Sequence, residues 1–268
     1  MTPTQIVIEL HHQQLTGPRL EELVERKLLP ALFKHMNFMK HGSSAITRRS
    51  GRSVVVSLND LCVDLFVTQE TEEHWDPSLL KHSPDLIGAF MNWKYTSWKF
   101  MSQLPSLFSK DMLMAKNAIT GAFVTYYGLP RSERREAVYF VTALEEMLRE
   151  AGLTEDEMGK FTLLQYWAMV GNVYKMAFWL MVHLAHDTSI LEAVQTEVLS
   201  SVRGDNLDEN YLAEQCPRLD SLMNETLRLT VASSLARMVT QPCILGGRAL
   251  NPGNKIMASS HSSALASG

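Results

Sequence analysis

The sequence predicts a mainly α-helical protein, and two stretches carry that prediction. Thr162 to Ala185 is a long run, apolar on nearly every side and free of proline, which is the pattern of a helix placed at the centre of a protein. In the second stretch Pro217 suits a first helical position, and Leu219, Leu222, Met223 and Leu227 recur at spacings of three and four, so Pro217 to Leu229 predicts an amphipathic helix.

The remaining elements follow in chain order. Leu20 to Met39 predicts a helix that Pro30 must kink or divide, because proline has no amide donor and its ring meets the carbonyl four residues back. Val54 to Val67 is apolar and fits a helix or a strand by pattern alone. After a turn at Gly128, Pro130 to Leu148 predicts an amphipathic helix with a charged face. Thr154 with Glu157 three residues on is a capping box, which opens the next helix. No internal repeat is visible. Ala258 to Gly268 is small, polar and low in complexity, so a helical domain over 1–257 and a loosely ordered tail over 258–268 are expected.

Composition bounds the function. With 268 residues, 46% of them hydrophobic, the chain can bury a substantial core in one or two domains. Its 25 basic and 29 acidic residues leave a net charge of -4, which makes no electrostatic case for nucleic acid; the basic cluster Arg48, Arg49 and Arg52 is too short to make one. Cys62, Cys216 and Cys243 are too scattered for a disulfide framework, and each reads as a small hydrophobe. Met1 to Leu20 shows no apolar signal region, and Gln165, Asn172 and Lys175 interrupt the longest apolar run, so a soluble intracellular chain without an anchor is expected.

Several side chains invite a functional reading. His183 and His186 have a spacing that metal sites use, but no third ligand is evident and no metal site is expected. His11 and His12 are expected in solvent. Trp93, Tyr95, Trp98 and Phe100 fit the lining of a substrate pocket and a packed core equally well. No D-D-x-x-D metal motif is present, which argues against a helical enzyme of the terpene cyclase kind. Glu225 and Arg228 share a helix face and can hydrogen-bond. Leucines on both sides point to partial burial, against which stands an ordinary solvated pair.

The motif P-x-L-D-x-x-x-x-E-T-L-R-L around that pair resembles helix K of the cytochrome P450 family, where E-x-x-R forms an internal clamp beside the haem. Ser233 to Val239 and then Leu250-Asn-Pro-Gly253-Asn-Lys-Ile resemble the strand, turn and strand that follow. The resemblance implies that Arg237 pairs with a haem propionate; a strand-end arginine in water stays open beside it. Trp167-Ala168, Gly171-Asn172 and Ala177-Phe178-Trp179 resemble helix I of the branch with W-A-x-x-x-N-T-x-P-x-x-F-W, and Leu184 to Val198 resembles helix J.

In that frame Asn172 occupies the oxygen-activating turn, with Val173 where the branch has threonine. Valine has no hydroxyl with which to hold water or relay a proton. The resemblance implies a mainly α, incomplete cytochrome P450 fold, about helices C to K, with a small β remnant. It also implies a haem-thiolate monooxygenase that uses heme, an apolar small-molecule substrate and electrons from an NADPH-dependent reductase. The loop F-x-x-G-x-R-x-C-x-G that supplies the axial thiolate is expected beyond Gly268, which counts against heme binding by these residues. None of the three cysteines has the glycine-rich flanks of that loop. The alternative is a non-catalytic interaction protein that kept the helical core.

Overall fold

Prolines, caps and two widened helical turns set the element boundaries in the computed structural model, which describes residues 3–38, 43–51, 53–204, 206–230 and 234–259. The chain divides into two compact units, Met1–Lys175 and Met176–Gly268, and one long helix runs through the boundary.

The first unit begins with α1 (Pro3–Gln14) and α2 (Pro18–Leu23), and α2 passes through a π-helical turn at Val24–Leu28 into α3 (Leu29–Met36). The π turn is how Pro30 is tolerated: the missing amide and the ring clash fall where the helix is already widened, so the segment stays helical. The ambiguous apolar stretch is both strand and helix. β1 (Ile46–Ser50) and β2 (Ser53–Val56) pair antiparallel, and Ser57 then caps α4 (Leu58–Val63) by accepting from the Asp60 amide. A second π turn, Asp64–Gln69, leads into α5 (Glu70–Trp75). Asp76, at φ 76°, ends α5; its carboxylate accepts from the amide of Ser78 at the start of α6 (Pro77–His82) and from that of Glu136, both at 2.9 Å.

α7 (Leu86–Met101) packs on α8 (Lys110–Gly128), which ends at the expected turn, where the Leu129 amide closes onto the Tyr126 carbonyl. The helix expected from Pro130 to Leu148 begins only at Tyr139, as α9 (Tyr139–Glu150). Pro130 takes an extended conformation, and Arg131 and Arg134 fold back onto Glu145 of α9 instead of lying along a solvated helix face. Thr154 and Glu157 form the anticipated capping box, with the Thr154 amide and hydroxyl donating to the Glu157 carboxylate at 2.9 and 2.8 Å.

α10 (Glu155–His186) opens from that box. Within the first unit its buried stripe is Met158, Thr162, Tyr166, Val170 and Tyr174, one residue in every four. Tyr166 meets Trp75, Phe90 and Phe123 at ring distances of 5.2, 4.8 and 5.3 Å, and its hydroxyl bonds Thr71 at 2.7 Å. Gly159 lets α8 approach closely, since a Cβ there would sit 2.8 Å from the Thr120 carbonyl oxygen. The expectation of burial on all sides is corrected: Leu164 and Val173 are 45% and 43% exposed. The first unit covers one side of this helix, and apolar residues remain on the other.

In the second unit Asp187 caps α11 (Thr188–Leu199), which packs on α13 (Pro217–Thr230). The Glu197 carboxylate caps α13 from outside by accepting from the amides of Arg218 and Leu219. A short hairpin, β3 (Val202–Arg203) with β4 (Asn206–Leu207), and α12 (Glu209–Glu214) lie between them in sequence. β5 (Ser234–Met238) pairs antiparallel with β8 (Lys255–Ser259), and β6 (Cys243–Leu245) with β7 (Arg248–Leu250). Gly246 and Gly247, both at positive φ, make the two-residue turn of the second hairpin. β8 takes the first two residues assigned to the tail, and residues 260–268 lie outside those described. No described helix is long and apolar enough to cross a membrane.

The charged centre of the first unit is Arg134 with Glu145, whose side chains are 3% and 1% exposed and joined at 2.5 and 2.8 Å. Burial pushes the Glu145 carboxyl up, but hydrogen bonds from Arg134 and Arg149 outweigh it and hold it below the usual range. Arg134→Ala strands a buried carboxylate and is expected to lower the unfolding free energy by about 3–5 kcal/mol. Urea titration at neutral pH measures this, and a loss under about 1 kcal/mol would mean that the site opens to water.

Candidate functional site

The turn of α10 at Gly171, Asn172 and Val173 is built by close packing on one side and exposure on the other. Gly171 is buried, and a Cβ there would lie 3.0 Å from the Trp167 indole and 3.8 Å from the Phe90 ring. Its carbonyl accepts a 2.7 Å hydrogen bond from Nζ of Lys94 on α7, and the same amine sits 3.4 Å over the Tyr174 ring. Asn172 is exposed.

Val173 lines a cavity of about 310 Å³ together with His11, Glu70, His74, Phe140 and Met169, among others. His11 is not in solvent as expected: it stacks on Phe140 at 4.1 Å and bonds Gln165 through Nε2. His74 is buried, and its Nδ1 lies 2.8 Å from the Glu70 carbonyl. A carbonyl only accepts, so Nδ1 carries the proton and Nε2 is the bare nitrogen. Burial holds His74 down to about 4, against the stabilising effect of that hydrogen bond, and pushes the Glu70 carboxyl up to about 8. Near neutrality the cavity therefore holds a neutral imidazole and a neutral carboxylic acid, four residues apart on one helix.

The second unit holds the other residues singled out by sequence. Arg228 grips Glu225 with two hydrogen bonds of 2.7 and 2.5 Å, but both side chains are 51% exposed, so the pair is not the partly buried clamp expected. Few described residues stand over this face of α13, where Leu227 and Leu229 are also exposed. Hydrogen bonding to Arg228 nevertheless holds Glu225 below the usual carboxylate range. Arg237 is exposed on β5, opposite Ile256 of β8. The Pro252-Gly253 turn forms as anticipated: Gly253 has φ 90°, its amide donates to the Val239 carbonyl, and Asn254 closes the turn onto Asn251.

The aromatic group divides. Trp93 is core, edge-on to Trp167 at 5.5 Å, whereas Tyr95 and Trp98 are exposed. Cys62 and Cys216 are buried, and burial raises both thiols; Cys243 is exposed on β6. Sequence reasoning passed over Glu70, His74 and Lys94. The available signal was slight: Glu70 and His74 share a face at i and i+4, but they sit in an acidic stretch that reads as a solvated helix.

Comparison with known proteins is consistent with these elements. The family described as Cytochrome P450 matches residues 53–265. Prostacyclin synthase of Rattus norvegicus is 37% identical over 166 residues, covering 59% of this chain and 32% of the relative. The 5-beta-cholestane-3-alpha,7-alpha-diol 12-alpha-hydroxylase of Sus scrofa is 32% identical over 120 residues, covering 42% of this chain and 24% of the relative. The structure of retinoic acid bound cyanobacterial CYP120A1 superposes with a TM-score of 0.70 at 16% identity, covering 95% of this chain and 56% of the other. The chain thus spans about half the length of that structure, and the matched segments span a third or less of the two relatives.

The Glu70 carboxyl gives the cavity a measurable signature. Its folded value lies above the ordinary 4.5, so the folded state holds the extra proton, and stability falls as pH rises from 4.5 to about 8. Relative to Glu70→Gln, the unfolding free energy of the natural chain is expected to drop by about 1.4 kcal/mol per pH unit across that window. Equal pH dependence in the two forms, by urea titration, would place Glu70 in water.

Proposed function

The chain belongs to the cytochrome P450 family, and on that premise we propose that it forms the helical, substrate-facing part of a haem-thiolate monooxygenase acting on an apolar small molecule. The observation that carries this reading is α10 itself, where the W-A-x-x-x-N turn sits on a packed aromatic stripe while Asn172 and Val173 are left uncovered. The relatives' names include a synthase of prostacyclin and a hydroxylase of a cholestane diol. We take a substrate of that size and apolarity, with electrons from an NADPH-dependent reductase, as the finer proposal.

Haem, when bound, supplies the oxidising chemistry of this family. The described residues fit that group only in part. Arg237 offers a guanidinium suited to a propionate. The axial thiolate has no counterpart: Cys62 and Cys216 are buried thiols held in the neutral form, and Cys243 is a strand residue paired opposite Leu250. No step through haem is therefore assigned to these residues. At the α10 turn the side chains differ in what they can do with a proton. The Asn172 amide donates and accepts hydrogen bonds, and Val173 does neither.

Supplied with haem, the 268-residue chain is expected to give no thiolate-type band in its reduced, carbon-monoxide-bound spectrum. Joined to the haem-loop segment of a curated relative, it is expected to give that band at stoichiometric haem content. In the joined protein Val173→Thr should raise product formed per NADPH consumed, since proton delivery by a positioned group is worth about 10²–10⁴ in rate. A joined protein that folds and takes up no haem would overturn the reading. Equal coupling in the Val and Thr forms would confine the error to Val173.

A further inference from the structure

The cavity beside Val173 lies wholly within the first unit, between α1, α5, α9 and α10, and its volume of about 310 Å³ is at the lower end of the range for small-molecule sites. Leu15, Phe140, Ala168, Met169 and Val173 form its apolar wall. Its polar lining is His11, Gln14, Glu70 and His74, and what these side chains offer decides what the cavity can take.

Gln14 is committed to the protein: its Oε1 accepts from the Phe140 amide at 3.0 Å, and its Nε2 donates to the Arg19 carbonyl at 3.3 Å. The other three present acceptors. His11 Nε2 lies 3.2 Å from the Gln165 side-chain oxygen, which only accepts, so Nε2 carries the proton and Nδ1 is bare. His74 gives its Nδ1 proton to the Glu70 carbonyl and keeps a bare Nε2, to which none of the described residues donates. Oε2 of Glu70 is buried with no hydrogen-bond partner among the described residues.

A buried carboxyl oxygen without a donor is costly, and the chain does not supply one. Lys27, whose charge is felt at His74, donates instead to the Glu73 and Glu136 carbonyls at 3.2 and 2.6 Å. A metal ion does not suit the cavity either, since no group of three His, Cys, Asp or Glu side chains among the described residues is placed to hold one.

We propose that this cavity binds a small organic cation, a primary ammonium group carried on an apolar body. An ammonium has three donors and no acceptor, which is the complement of the Glu70 carboxylate and the bare imidazole nitrogens. Glu70 and His74 are one turn apart on α5, so a single ammonium can address both. Phe140, Met169 and the aliphatic wall receive the apolar body. In the empty cavity burial keeps the Glu70 carboxyl protonated near neutrality; the bound cation favours the carboxylate, and the displaced proton passes to solvent. The site needs no haem and is independent of the function proposed above.

The test is isothermal titration calorimetry of the natural chain at pH 8 with phenethylamine, and with phenethyl alcohol as the neutral probe of the same size. At that pH Glu70 is about half ionised, and an amine titrating near 10.4 is almost wholly an ammonium. One amine is expected to bind per chain, with the alcohol at least about tenfold weaker, the difference made by a hydrogen bond to a charged group. Glu70→Gln should weaken the amine at least about tenfold and leave the alcohol little changed. Ala168→Trp, which fills the cavity from an exposed position on α10, should abolish both. Absence of saturable amine binding, equal affinity for amine and alcohol, or an amine affinity unchanged in Glu70→Gln would each overturn the proposal. The two probes on the natural chain keep it open to refutation even if a variant does not fold.

Discussion

The first unit depends on the seating of α10 along one stripe, at the centre of which Tyr166 is fully buried against Trp75, Phe90 and Phe123. Each aromatic contact of this geometry is worth about 0.5–1.5 kcal/mol beyond its buried area, and three of them converge on one ring. The phenol needs a partner once buried, and Thr71 provides it at 2.7 Å. One turn earlier the buried Thr162 and Tyr127 hydroxyls pair at 2.8 Å. The stripe therefore ties α5, α7 and α8 to α10, and it fixes which residues of the next turn face outward.

From that seating the unusual charge states follow. A helix packed by large aromatic residues excludes water from the polar groups beside it, and exclusion of water is the leading cause at Glu70, His74 and Lys94 alike. All three are pushed toward their neutral forms. Arg134 and Glu145 show the other outcome, in which buried charges persist because each finds the other with good geometry. What separates the two cases is the availability of an opposite charge. Glu225 and Arg228 are a third case, well formed in geometry but half in water, where screening leaves little for stability.

Much of the fold was legible because its signals are local. The capping box at Thr154, the turn at Pro252-Gly253 and the proline start of α13 are each set by a few adjacent residues, and each forms. Two misreadings came from tertiary partners that local patterning does not show. The charges of 131–135 suggested a solvated helix face, yet Arg131 and Arg134 pair with Glu145 from the segment that precedes α9. The apolar surround of α10 suggested burial on every side, and Val173 is on the open side. At the site, the motif located Asn172 and Val173 but not Glu70, His74 or Lys94, because desolvation depends on what the rest of the chain stacks against a residue.

Its seating makes the Met158 to Tyr174 stripe of α10 the most stable structure of the first unit. Native-state amide hydrogen exchange tests it directly. Amides of α10 between Met158 and Tyr174 are expected to exchange only through global unfolding of the unit, as slowly as the most protected amides of α7 and α8. Exchange of these amides by local opening, while α7 and α8 remain protected, would contradict it.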